Sequence, residues 1–166
     1  MPTLIRRDAS GGFAAAADES PLLPLAAVLA DPGLLHGRVG VLLTVADDLA
    51  ALVPLLPKLS LVALDFAKYR DGRAYTTAVL LRTRHGFTGE LRAMGDVLLE
   101  EAPQFLRCGF DSFEVADGSM PEEWAAEARA HSQVYQRAAD GRAPIFSERS
   151  SPLPRSGRGG AATSSP

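Results

Sequence analysis

LSLVALDFAKYRDGRAYTTAVLLRTRHGFTGELRAMGDVLLEEAPQFLRCGFDSFEV, Leu59 to Val115, holds three apolar runs, each closed by charged residues. Leu59 to Phe66 has no polar alternation, which is how a strand covered on both faces reads. Asp71 followed by Gly72 predicts a helix to about His85, with Tyr75/Val79 and Ala74/Ala78/Leu81 on its inward face and Gly86 as its stop. Glu90 to Gly95 reads as the next strand, with Glu90 and Arg92 alternating with Leu91 and Ala93. Pro103 belongs in the first turn of a helix starting near Glu100, because proline has no N–H to lose there; Gly109 ends it. Phe110 to Val115 is a further strand. The segment is strand, helix, strand, helix, strand.

The pattern continues on both sides. Val39 to Val45 (VGVLLTV) reads as a core strand, followed by a helix over Asp48 to Leu56 with Asp47 as N-cap, shortened or kinked by Pro54 and Pro57. Leu22, Leu25, Ala26 and Leu29 at helical spacing make Pro21 to His36 a packing helix, stopped by Asp31-Pro32-Gly33. Thr3 to Arg6 fits a short edge strand, and the Gly- and Ala-rich Asp8 to Ser20 a loop. Downstream, Ser119 and Glu122 have capping-box spacing and Pro121 lies in the first turn of a helix to about Ala139, with Trp124, Ala128 and Tyr135 near its inner side. The division expected is an extension and packing helix over 1–38, one α/β domain over 39–139, and a tail over 140–166 whose Gly, Ser, Pro and Arg content offers too little apolar surface to offset the entropy of ordering it.

About four strand–helix units imply an α/β fold with a parallel sheet joined by right-handed crossovers. Two architectures satisfy this, an open doubly wound sheet and a TIM-like half barrel. The polar alternation inside Glu90 to Gly95 favours the half barrel, whose interior admits polar layers near its ends.

The bulk properties narrow the function. Among 166 residues, 46% are hydrophobic and 22% charged, the profile of a globular domain large enough for its own core, and the net charge of -3 gives no field for holding a nucleic-acid backbone. No apolar run approaches the ~20 residues of a membrane span, and MPTLIRR is not followed by a signal-type apolar stretch. The one cysteine, Cys108, cannot form an intramolecular disulfide. A cytoplasmic location is the expectation. Cys108 beside Arg107 reads as a small core residue rather than an activated thiol. His36, His85 and His131 lack ligand spacing, so no metal is expected, and without a dinucleotide fingerprint, P-loop, C-x-x-C or nucleophile elbow no resident cofactor is expected either.

Sites in such folds gather at the carboxyl ends of the strands. That rule collects Asp47, the run Asp65 to Arg73, Arg92 to Asp96, and Glu114 to Asp117. Lys68, Arg70 and Arg73, with Arg92 from the next strand, are the expected substrate contacts: they flank a helix start, where backbone N–H groups and the helix dipole favour an anion such as sulfite, sulfate or phosphate. Asp65 and Glu114 are the expected catalytic acid or base. Asp71, Gly72 and Asp96 are expected to serve as helix caps. For any single one of these residues a structural role competes with the functional one; their density in one loop raises the functional reading.

The segments Asp65-Phe66-Ala67-Lys68-Tyr69-Arg70-Asp71-Gly72-Arg73-Ala74-Tyr75, Gly89 to Leu98 (GELRAMGDVL) and Arg107-Cys108-Gly109-Phe110-Asp111 resemble the bacterial domain of unknown function 934 family, over roughly Val39 to Gln136. Ala67, Arg70 and Ala74 stand where that family tends to have proline, a small polar residue and glycine; Leu99, Glu100 and Glu101 also depart from it, and no function is carried onto them. The resemblance implies an oxidoreductase or accessory protein of assimilatory sulfite and sulfate reduction, with sulfite reductase or another sulfur-assimilation protein as partner. Reducing sulfite moves several electrons, and this chain has neither the cysteines for an iron–sulfur cluster nor a nucleotide fingerprint, so an oxidoreductase of this sequence would borrow its cofactor. A non-redox acid/base enzyme on a small anion and a non-catalytic interaction subunit are the alternatives; a half barrel would expose an apolar sheet edge and so favours a homodimer.

Overall fold

A computed structural model describes residues 3–17, 20–37, 39–67, 72–116, 118–130, 134 and 136–145. The strands are β1 (Thr3–Arg7), β2 (Phe13–Ala16), β3 (Leu22–Pro24), β4 (Gly40–Leu43), β5 (Leu61–Phe66), β6 (Glu90–Gly95) and β7 (Ser112–Val115). The helices are α1 (Leu25–Ala30), α2 (Leu49–Leu52), α3 (Arg73–Thr83), α4 (Ala102–Cys108) and α5 (Pro121–Ala130). All seven strands form one sheet in the order β2-β1-β7-β6-β5-β4-β3. From β3 to β7 every pairing is parallel; β1 is antiparallel to β7 and to β2.

The parallel strands advance across the sheet without reversing, so there is no switch point of the doubly wound kind. Right-handed crossovers then put every connecting helix on one face. The core confirms that placement, since Leu25 and Val28 of α1, Leu52 of α2, Ala78 and Leu81 of α3, Phe105 of α4 and Trp124 of α5 join one apolar cluster with Val41, Leu43, Val62, Leu64, Phe66, Leu91, Ala93 and Phe113. Phe105 is its hub, lying against Phe66 (5.1 Å), Tyr75 (5.2 Å), Phe110 (5.4 Å) and Phe113 (5.5 Å), while Trp124 stacks on Phe113 at 4.5 Å.

Because side chains alternate along a strand, Leu42, Leu61, Ala63, Asp65, Glu90, Arg92, Met94, Ser112 and Glu114 fall on the second face. The register aligns Arg6, Ser112, Arg92, Ala63, Leu42 and Pro24 in one row across six strands. Arg92 is only 4% exposed there and Ser112 is fully buried.

Several sequence expectations are corrected by this arrangement. Thr3–Arg7 is an inner strand with partners on both sides, and β2 lies in what reads as loop. Residues 22–24, inside the expected packing helix, pair with β4, so the segment ahead of residue 39 supplies three strands of the common sheet. Asp48, not Asp47, caps α2, accepting from the Ala50 N–H at 2.9 Å. The N-cap of α3 is Gly72, while Asp71 lies outside the described residues. Asp96 caps no helix: the 3-10 turn at Leu99–Glu101 has Leu98 at its N-cap. The last helix is described over Pro121–Ala130 and does not reach Ala139: Val134 and residues 136–139 are not helical, and residues 131–133 and Tyr135 lie outside the described residues. Asp140, assigned to the tail, packs inward with its side chain 6% exposed between Arg107 and Arg142; residues 146–166 lie outside the described residues. No helix among the described residues is long and apolar enough to cross a membrane.

Candidate functional site

β4 and β5 end side by side, and α3 begins above them. Between these ends lies a cavity of about 280 Å³ lined by Leu43, Thr44, Val45, Asp47, Leu49, Leu64, Asp65, Arg73, Ala74, Thr76 and Thr77. Gly72 at the N-cap has no side chain to accept from the first-turn N–H groups of α3, and Arg73 and Ala74 of that turn face the cavity. Arg73 reaches across to the β4–α2 loop, donating from Nη1 to the Val45 carbonyl at 3.3 Å.

Two carboxylates line the same cavity, one held by its own loop and the other turned toward the neighbouring strand. Asp47 Oδ2 accepts from the Thr44 N–H (2.7 Å) and Thr44 Oγ1 (2.8 Å), closing the loop on itself. Asp65 is turned toward β6: its Oδ1 would stand 2.7 Å from a Cβ added at Gly95, whose φ of +89° favours glycine in any case. The first turn of α3 and Arg73 are thus the cationic side of the site.

The remaining expected residues divide. Lys68, Arg70 and Asp71 lie outside the described residues, as do Tyr69 and Asp117. Glu114 is on the second face with Asp65, and carrying the β6–β7 register on by one residue puts Met94 between them. Two strand spacings then separate their backbones by about 10 Å. Arg92 sits in mid-strand on that face, donating from Nη2 (2.8 Å) and Nε (3.2 Å) to Glu90 Oε1. The same carboxylate accepts from Ser112 Oγ (2.5 Å) and, at Oε2, from Arg6 Nη2 (2.9 Å). Burial alone would raise the Glu90 pKa, but the hydrogen bonds from Ser112 and Arg92 and the charges of Arg92 and Arg6 outweigh it and hold it below the ordinary value.

Two groups escaped the sequence reading. Burial raises the pKa of Glu101, which the Tyr75 hydroxyl partly offsets and the charges of Glu100 and Asp96 reinforce. Arg82 on α3 donates to the carbonyls of Gly109 (2.9 Å), Phe87 (2.6 Å) and Gly89 (2.8 Å) and to Asp111, tying the amino ends of β6 and β7 together. Cys108 is buried, and desolvation pushes its thiol up to about 11 against the pull of Arg107, which fits a packing residue. Among the described residues no group of three or more His, Cys, Asp or Glu is placed to hold a metal ion.

Residues 40–146 match the model of a family described as bacterial protein of unknown function, DUF934. The chain belongs to that family. No curated protein matches it. The matched region begins at β4 and includes the whole candidate cavity, whereas β1, β2 and β3 precede it.

Proposed function

We propose that this DUF934 protein binds a small oxyanion, sulfite or sulfate, at the amino end of α3, and that it serves assimilatory sulfite reduction as an accessory to the reductase. The observation that carries the reading is the α3 first turn, with glycine at its N-cap, opening beside Arg73 into a cavity at the strand carboxyl ends. Lys68 and Arg70 come shortly after β5 in the sequence and would add their charges to the site; Arg92, held by Glu90, would orient the second face rather than meet the ligand first. The assignment to sulfur metabolism comes from the family resemblance. The unreversed run of parallel strands, helices on one face and a polar layer on the other support the half-barrel form of the fold.

Thermal denaturation with and without sulfite, sulfate or phosphate tests the binding. A stabilisation that rises with ligand concentration and disappears in Arg73→Ala is expected; an equal shift in both proteins would place the anion elsewhere. Growth of a host lacking the chain tests the pathway. Rescue by sulfide but not sulfite is expected, and normal growth on sulfate, sulfite and sulfide would remove the assignment.

A second reading draws on the placement of Asp65 and Glu114 on one face. A non-redox acid/base enzyme would lose turnover in Asp65→Asn if Asp65 is the acid or base and in Glu114→Gln if Glu114 is, with its fold and anion binding intact.

A further inference from the structure

At the opposite end of the sheet, the turn between β1 and β2 faces α4, α5 and residues 140–142 across a cavity of about 500 Å³. That volume is in the range of small-molecule sites. The turn is shaped by Asp8, whose Oδ1 accepts from the Ser10 N–H (2.8 Å), Ser10 Oγ (2.6 Å) and the Gly12 N–H (2.9 Å). Gly11, at φ +86°, completes it, and a Cβ there would come to 3.5 Å from Arg7 Nη2. The Arg7 guanidinium therefore lies along the inside of the turn.

Three arginines, Arg7, Arg129 and Arg142, line this cavity with one acidic residue, Asp140. Asp140 is already shared, accepting from Arg142 Nε at 2.6 Å and standing 3.7 Å from Arg107 Nη1. The side chains of Arg7 and Arg129 have neither hydrogen bond nor ion pair among the described residues. Phe13, Leu106 and Ala128 give the same cavity an apolar wall. Cations gathered on one cavity repel one another unless an anion joins them, and a guanidinium fork matches the paired oxygens of a phosphate group.

We propose that this groove is a second ligand site, for a phosphate monoester with an apolar or aromatic body. The phosphate bridges Arg7 and Arg129, and the organic group lies against Phe13 and Leu106. The site is independent of the α3 cavity: Arg7 pairs through its backbone with Asp111, ahead of β7, whereas the α3 cavity lies beyond the other ends of β4 and β5.

Isothermal titration of the full chain with phenyl phosphate and with inorganic phosphate tests this. Phenyl phosphate is expected to bind about tenfold more tightly than inorganic phosphate, through the apolar wall. Arg7→Ala and Arg129→Ala, both at exposed positions, are each expected to weaken it about tenfold or more, and Arg73→Ala to leave it unchanged. The proposal is overturned by absence of binding, by equal affinity for the two probes, or by loss in Arg73→Ala with Arg7→Ala and Arg129→Ala unaffected. The last outcome would assign the binding to the α3 cavity instead.

Discussion

The two faces of the sheet solve the same problem of burial by different chemistry. On the helix face, Phe66, Phe105, Phe110, Phe113 and Trp124 fill space with interlocking rings. On the other face, Glu90 gathers Arg6, Arg92 and Ser112 into one hydrogen-bonded cluster from three adjacent strands. Ring packing is non-directional and contributes in proportion to the area removed from water; a desolvated ion cluster contributes little net free energy but penalises any register that separates its members. Slipping β7 by one residue would put Phe113 or Asp111 opposite Arg92 in place of Ser112 and send both Phe113 and Glu114 to the wrong face.

The sharpest way to break the comparison is Phe105→Ala. Losing the hub of the aromatic cluster is expected to cost about 3–5 kcal/mol in denaturant unfolding, and a cost under about 1 kcal/mol would mean the rings are not a unit. Next comes Arg92→Ala, expected to cost about 3 kcal/mol because Glu90 keeps a half-buried charge, whereas the double change Glu90→Met with Arg92→Met should cost less than the single one. If the double variant is the worse, the cluster stabilises in its own right. The pH dependence is a milder probe. Glu90 is held below its ordinary 4.5, so its contribution is full above that value and is lost as pH falls through the lower, folded-state value. Thermal denaturation between pH 6 and pH 3 (acid limits set by the usual carboxylate range of about 4) should fall less steeply in Glu90→Gln. The smallest effect is expected from Ser112→Ala, about 1 kcal/mol for one hydroxyl donor to the carboxylate.

This division of labour was only half legible in the sequence. The runs at Leu61–Phe66 and Glu90–Gly95 announce their strands, and Glu90 and Arg92 alternating with Leu91 and Ala93 announce a polar second face. What they bind to was hidden: Arg6 meets Glu90 across 84 positions of sequence, and Arg82 meets Asp111 across 29, contacts that only the strand register creates. β2 is three alanines after Phe13, with no periodicity to mark it, and β3 was absorbed into the helical spacing of Leu22, Leu25 and Leu29. At the candidate site, the carboxyl-end rule gathered Asp47, Asp65 and Arg73, and these three line one cavity. It also gathered Arg92, because a strand gives no sign along its length of which way a long side chain turns. The arginine groove was missed because its members come from the first hairpin, the last helix and the segment after it, none of them near a parallel strand's carboxyl end.

The pairing of β1 with β7 has a consequence for how the chain is made. β1 cannot find its place in the sheet until residues 112–115 have left the ribosome, and among the described strands β2 pairs only with β1. The β1–β2 hairpin therefore waits outside the sheet until β3, β4, β5 and β6 have all been made and β7 follows them. A shortened protein limited to the 40–146 match would be left with β4 and β7 as naked margins, each able to recruit a strand from another molecule.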